Sequence, residues 1–346
     1  MIAARYEGPP EYFKVGEEKV PEIEAGDLLV KVGAVGICST DAKIILGKRN
    51  IKTGLVLGHE IAGEIIDFKD PVKLFNRGDI VGAFPGMACK ECYYCTLHLE
   101  NLCMSKVSLG LQIDGGFQQY MRVPSRILEN GNVMKLPGSI TLEEATFLEP
   151  ISCCIESIEL IKVQAASKIL IIGAGVMGLL HQIILRDTVS KIYISDFQKR
   201  RRELARELGA DRAIDPGSEN LAEIILEETH GIGVDVCFMC ADDPPLIGQL
   251  CDMVRSRGAI NLFSSSILDE NYSMDPNKLH YKEIHLTGSH SSSVKQFYES
   301  LPLLHQYKQS INKLITHQLP LQRINEALKL YLDHIAIKAI ITPNNE

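Results

Sequence analysis

The stretch from Lys168 to Gly178, KILIIGAGVMG, decides the fold. After Lys168 come four apolar residues, Ile169 to Ile172, three of them β-branched, which predicts a buried strand. Gly173, Gly175 and Gly178 follow as G-x-G-x-x-G, and a helical pattern begins at Val176. Each glycine has a physical task in such a turn. The first permits the sharp reversal, the second lets backbone approach a pyrophosphate, and the third lets the helix pack against the strand. The N-terminus of the helix then presents its unpaired N–H groups to the phosphates. The spacing predicts a dinucleotide site at Gly173, Gly175, Val176, Met177 and Gly178.

Reading outward, a second strand, KIYIS, ends at Asp196. A carboxylate there can accept hydrogen bonds from the adenosine ribose hydroxyls and repel a 2'-phosphate, so NAD is expected rather than NADP. Lys199, Arg200 and Arg201 follow closely; they either receive a 2'-phosphate or form a solvated helix face. The charged helix ends at Gly209, and further strands are expected at VDVCFM, AINLF and IHLT. This is the rhythm of βαβ units and implies an α/β protein with a doubly wound parallel sheet.

The texture before this region is different. From about residue 26 to 150, short apolar runs such as LLVKVGAVGI and DIVGAF are separated by Gly, Pro and Asp, which reads as small antiparallel strands in an all-β half. After residue 290, the helical stretches VKQFYESLPLLHQ and LQRINEALKLYL precede a β-like run, IKAIIT. A chain of 346 residues is longer than a single core usually grows. The expected division is 1–150, then a cofactor domain at 151–290, then 291–346 returning to the first domain.

Composition excludes several functions. The formal charge is -8 and no run of Lys and Arg is interleaved with aromatics, which argues against a nucleic-acid or anionic-membrane surface and for a small-molecule partner. The N-terminus lacks a basic segment followed by an apolar one, and the longest apolar stretch, Ile169 to Leu180, is too short to span a bilayer. A cytoplasmic protein without a membrane partner is expected.

Ten cysteines in a long intracellular chain point to metal binding, buried thiols or catalysis rather than disulfides. Cys89, Cys92, Cys95 and Cys103 form C-x2-C-x2-C-x7-C, which brings four thiolates within reach of one tetrahedral ion. Four sulfurs leave no position for substrate, so a closed, structural zinc site is expected. A second set is dispersed: Cys38 in GICSTD, His59 and Glu60 in LGHE, and Glu149 in LEP. Singly these read as a small core residue, a buried histidine and a helix-start carboxylate. Together they offer the mixed thiolate, imidazole and carboxylate set of a catalytic zinc with one open position. Asp41 can orient the imidazole, and Thr40 offers a hydroxyl to take a substrate proton.

With GICSTD, LGHE, the four-cysteine lobe, LEP and GAGVMG in this order, the sequence resembles the zinc-containing medium-chain alcohol dehydrogenase family, over essentially its whole length. The carboxylate at Glu149 is more similar to the polyol and threonine dehydrogenase branch than to the liver-type enzymes. The resemblance implies a GroES-like β-barrel catalytic domain with an inserted Rossmann domain, and hydride transfer between NAD and a small secondary alcohol, a polyol or the corresponding ketone. It implies that Cys38, His59 and Glu149 hold the catalytic zinc, with Glu60 an adjacent or exchanging ligand and Thr40 the proton-relay hydroxyl. Asp196 and Arg201 match adenosine-ribose contacts, and Lys338 matches a basic residue that reaches the cofactor phosphates. Two zinc ions per subunit and a homodimer or homotetramer are implied as well. Lys43 stands where many relatives carry the relay histidine. The arginine that polyol dehydrogenases carry near Gly288 to Ser293 is absent, which points away from sorbitol itself. Threonine, a cyclitol or a sugar phosphate are alternative substrates of the same chemistry; an NAD-binding protein without catalysis is the alternative from another class.

Overall fold

The computed structural model describes residues 1–70, 72, 74–266 and 273–345. It divides into two compact units, Met1–Ser152 with Ser292–Glu346, and Cys153–Ser291.

The second unit is built on six strands in the order Arg212–Ile214, Lys191–Ser195, Lys168–Ile172, Val234–Met239, Val254–Leu262 and His285–Gly288. Every pairing is parallel. Parallel strands covered on both faces need near-continuous apolar sequence. Accordingly Leu170, Tyr193, Cys237 and Ile260 are all buried in one core. The strand order reverses between Lys168–Ile172 and Val234–Met239, and such reversals open a crevice at the carboxyl ends of the strands. The glycine turn lies there, between Ile172 and the helix Val176–Leu185. The strand expected at AINLF starts earlier, at Val254, because Arg255 is held beside the neighbouring strand by Asp235, Nε to Oδ1 2.7 Å.

The first unit carries a seven-stranded sheet that runs Ile315–Pro320, Lys338–Thr342, Leu28–Gly36, Glu60–Phe68, Ile80–Ala83, Val133–Lys135, with Tyr120–Val123 also on Leu28–Gly36. The pairings are antiparallel except between the two C-terminal strands. Val30, Val32, Ile61 and Phe117 lie in its buried core. The C-terminal segment joins this sheet by pairing Ile340 with Gly36 and Ile341 with Val35.

The half read as all-β also contains helices, including Ser39–Ile45, Ser125–Glu129, Leu142–Ala145 and the start of Leu148–Ile161. Local capping explains one of them. The Thr141 hydroxyl accepts from the Glu144 N–H (3.2 Å), and the Glu144 carboxylate accepts from the Thr141 N–H (2.9 Å). No described helix is long and apolar enough to cross a membrane.

Candidate metal and cofactor sites

Cys38 follows the strand Leu28–Gly36 and stands immediately before the helix Ser39–Ile45. Asp41 ties this start down, its Oδ2 accepting from the Cys38 N–H at 3.0 Å. His59 and Glu60 lie at the head of the neighbouring strand, where Glu60 pairs in register with Gly36. Gly58 precedes them at φ +87°, a left-handed conformation that turns the chain toward the sheet. One donor atom from each of Cys38, His59 and Glu60 lies within 4.8 Å of the others.

The surroundings favour a cation. Asp41 is 1% exposed, and its Oδ1 faces His59 Nδ1 at 3.7 Å. Among the described residues, neither atom has a hydrogen-bond partner. Burial alone would lower the His59 pKa, but the Cys38 sulfur and the Asp41 and Glu149 carboxylates together hold it well above the usual value. A ring nitrogen facing a buried carboxylate, with thiolate and carboxylate donors beyond it, fits a divalent metal with an oriented imidazole ligand.

Glu149 occupies the first turn of the helix Leu148–Ile161 and is half-buried. Its charge acts on His59, but it stands outside the tight Cys38, His59 and Glu60 group. Thr40 and Lys43 are half-buried on the helix Ser39–Ile45, three residues apart and so on one face.

Lys338, expected to reach cofactor phosphates, is 0% exposed and forms an ion pair with Glu60, itself 2% exposed. Strand pairing explains this: Ile340 opposite Gly36 carries Lys338 to the end of the sheet where Glu60 lies. Sequence inspection had no signal for this pair, whose members are 278 residues apart.

The cysteine lobe is compact. Sγ to Sγ distances are 3.5 Å for Cys103 to Cys89, 3.6 Å for Cys92 to Cys95 and 3.9 Å for Cys89 to Cys95. A tetrahedral zinc with sulfurs at about 2.3 Å separates them by about 3.8 Å. All four are free thiols. Hydrogen bonds from the Glu91 backbone, the Ser105 hydroxyl and the Cys92 backbone draw Cys89 down to about 6, whereas burial and the neighbouring Cys92 push Cys95 up to about 12. Thiols this close cannot all ionise without a cation among them.

At the glycine turn, Gly173 has φ +96°, and a Cβ there would meet Ala241 at 3.0 Å. A Cβ at Gly178 would collide with the carbonyl oxygen of Gly173, so helix and turn could not close. Gly175 is open by contrast, with only Arg201 Nη1 near its missing Cβ, at 3.9 Å. Val176 and Met177 begin the helix and are half-buried. Asp196 Oδ2 accepts from the Ala174 N–H and Oδ1 from the Gln198 N–H, both at 2.8 Å. Arg201 Nη1 lies 3.8 Å from Asp196 Oδ2, so this arginine, unlike the exposed Lys199 and Arg200, is drawn to the turn. Arg202, which sequence reading passed over, braces the same loop by donating to the carbonyls of Asp196 (2.8 Å) and Phe197 (2.7 Å).

Comparison with known proteins agrees with this geometry. Residues 24–137 match the alcohol dehydrogenase GroES-like domain, and residues 178–306 match the zinc-binding dehydrogenase model. The chain belongs to the zinc-containing medium-chain alcohol dehydrogenase family, and its enzyme class is that of zinc-dependent alcohol and polyol oxidoreductases. Its fold is accordingly a GroES-like domain combined with a Rossmann-type parallel sheet. It is 29% identical to the sorbitol dehydrogenase of Halalkalibacterium halodurans, covering 96% of each chain. It is 30% identical to the L-threonine 3-dehydrogenase of Pyrococcus abyssi, over 92% of this chain and 91% of that one. An Escherichia coli alcohol dehydrogenase complexed with NADH superposes with a TM-score of 0.88 at 26% identity, over 99% of each chain.

Proposed function

We propose that Cys38, His59 and Glu149 hold a catalytic zinc with Glu60 beside it, and that Cys89, Cys92, Cys95 and Cys103 hold a structural one. The unit Cys153–Ser291 binds NAD at Gly173, Gly175, Val176, Met177, Gly178, Asp196 and Arg201, and the substrate is a small secondary alcohol or polyol. The observation that carries this reading is the convergence of half-buried Cys38 with buried His59 and Glu60 within 4.8 Å, with Asp41 facing His59.

A zinc ion held there supplies Lewis acidity, which lowers the pKa of an alcohol hydroxyl and polarises the corresponding carbonyl. The residues of the chain do the rest. Asp41 keeps a proton on His59 Nδ1, so that Nε2 keeps its lone pair for coordination. Thr40, two residues after Cys38, takes or returns the substrate proton at its hydroxyl, and Lys43 on the same helix face continues the path. The open backbone at Gly175 admits a diphosphate. Asp196, aimed by two backbone N–H groups, receives ribose hydroxyls and disfavours a 2'-phosphate.

Ten free thiols, four of them grouped for a metal, support a reducing, cytoplasmic setting. A homodimer or homotetramer is proposed on the family resemblance, and light scattering on the purified enzyme tests it. The main experiment couples metal analysis with an NAD reduction screen over polyols, amino alcohols, cyclitols and secondary alcohols. Two zinc ions per subunit and turnover of at least one class are expected. NAD binding with one zinc and no turnover would instead support a non-catalytic cofactor-binding protein.

A further inference from the structure

Asn261 stands where a parallel strand calls for an apolar side chain. It lies near the carboxyl end of Val254–Leu262, 0% exposed, opposite Phe238 on one neighbouring strand and Thr287 on the other. It is the one buried polar side chain on the strands Val234–Met239, Val254–Leu262 and His285–Gly288. Its Oδ1 accepts from the Ser289 hydroxyl at 3.0 Å, and its amide nitrogen has no partner among the described residues. A half-satisfied buried amide weakens a strand, so its presence calls for a reason other than stability.

Its place supplies one. At the carboxyl ends of the sheet, a row of backbone hydrogen bonds leads away from the glycine turn. The Cys240 N–H donates to the Ile172 carbonyl (2.9 Å), the Ser264 N–H to the Met239 carbonyl (2.9 Å) and the Ser289 N–H to the Leu262 carbonyl (3.3 Å). Each bond ties the chain just beyond one strand to the end of its neighbour, which makes a continuous rim. Ser289 closes that rim, and Asn261 holds its hydroxyl. A dinucleotide lies across the crevice where the strand order reverses, one half on each side. Asp196 marks the adenosine side, beyond Lys191–Ser195, so the nicotinamide half falls along the rim made by Val234–Met239, Val254–Leu262 and His285–Gly288.

We infer that Asn261 is a positioning residue that sets this rim, through the Ser289 hydroxyl, for the nicotinamide half of the cofactor. The inference depends on reading the glycine turn as an NAD site. Ser289 makes two bonds to Val254–Leu262, and without the one to Asn261 it keeps only the 3.3 Å bond through its N–H. The rim must then be ordered when the nicotinamide binds, and that cost is taken from the affinity. The adenosine half, on the other side of the reversal, is unaffected.

The test compares, on the whole enzyme, the binding of NADH with that of ADP-ribose, which carries the adenosine and diphosphate but no nicotinamide. Asn261→Leu and Ser289→Ala should each bind NADH about 3- to 10-fold more weakly, the effect of one hydrogen bond, with ADP-ribose affinity near native. The double variant should be no weaker than either single one, because both remove the same bond. Ser289→Thr keeps the hydroxyl and should keep the native NADH affinity. Asn261→Leu should melt at or above the native temperature, since an apolar side chain replaces a half-satisfied amide. Ser289→Ala, at a half-buried position, gives the answer should Asn261→Leu not fold. Equal weakening of both ligands with a lower melting temperature marks a merely structural amide and overturns the proposal. Unchanged NADH binding in the folded single variants, or additive losses in the double variant, overturns it as well. A native enzyme that binds neither NADH nor ADP-ribose overturns the NAD reading itself.

Discussion

His181 makes the cofactor unit sensitive to acid. It lies on the helix that follows the glycine turn, 0% exposed, with ring centres of Phe238 and Phe263 at 4.6 Å and 4.8 Å. Its Nδ1 is 2.8 Å from the Met177 carbonyl and its Nε2 2.7 Å from the Ser157 hydroxyl. Burial pushes its pKa down to about 4, against a partial opposing pull from the Met177 carbonyl. Protonation therefore favours the unfolded chain, where histidine titrates near 6.5. Between those values the unfolded state holds more protons, so stability falls as pH falls through 6.5 toward 4. Linkage gives a loss of about 2 kcal/mol between pH 7 and pH 5, and about 3 kcal/mol over the full window. The perturbation is His181→Gln, which cannot titrate; it should be less stable at pH 7 because it loses the ring contacts. The assay is guanidinium unfolding at pH 7, 6 and 5. Protonation of metal ligands affects native and variant alike, so the difference between the two isolates His181. That difference should shrink by about 2 kcal/mol from pH 7 to pH 5. Parallel stability profiles for the two proteins would refute the reasoning.

Three further outcomes are expected. Cys92→Ser should lose one of two zinc ions per subunit by elemental analysis and unfold at a lower temperature, since a closed metal site contributes folding free energy; retention of both ions at full stability would count against the lobe assignment. Asp196→Ser should narrow the preference for NAD over NADP in kcat/KM, and a native enzyme that already prefers NADP would shift the credit to Arg201 and its neighbours. Thr40→Ala should lower kcat by about 10²- to 10⁴-fold while Thr40→Ser stays active and the NAD dissociation constant stays near native; an unchanged kcat would remove the relay role.

The features legible in the sequence are those whose geometry is made within a few residues. KILIIGAGVMG encodes a strand, a turn that requires positive φ at Gly173, and a helix that can close only over a bare Gly178. The Cys89 to Cys103 spacing likewise confines four sulfurs to one short lobe before any tertiary contact is known. Cys38, His59 and Glu149 had no such local geometry, and family resemblance rather than spacing grouped them. The folded chain decides what lies between them, bringing Glu60 into the tight donor group and leaving Glu149 just outside it. Lys338 shows the limit most clearly. As a side chain in IKAIIT it is matched only to a phosphate contact, and nothing local shows that the antiparallel pairing of Ile340 with Gly36 sets it against Glu60 in a buried ion pair. Pairing between strands some 300 residues apart depends on how whole sheets close around their core, and side chains that depend on that register acquire their partners only when the tertiary structure forms.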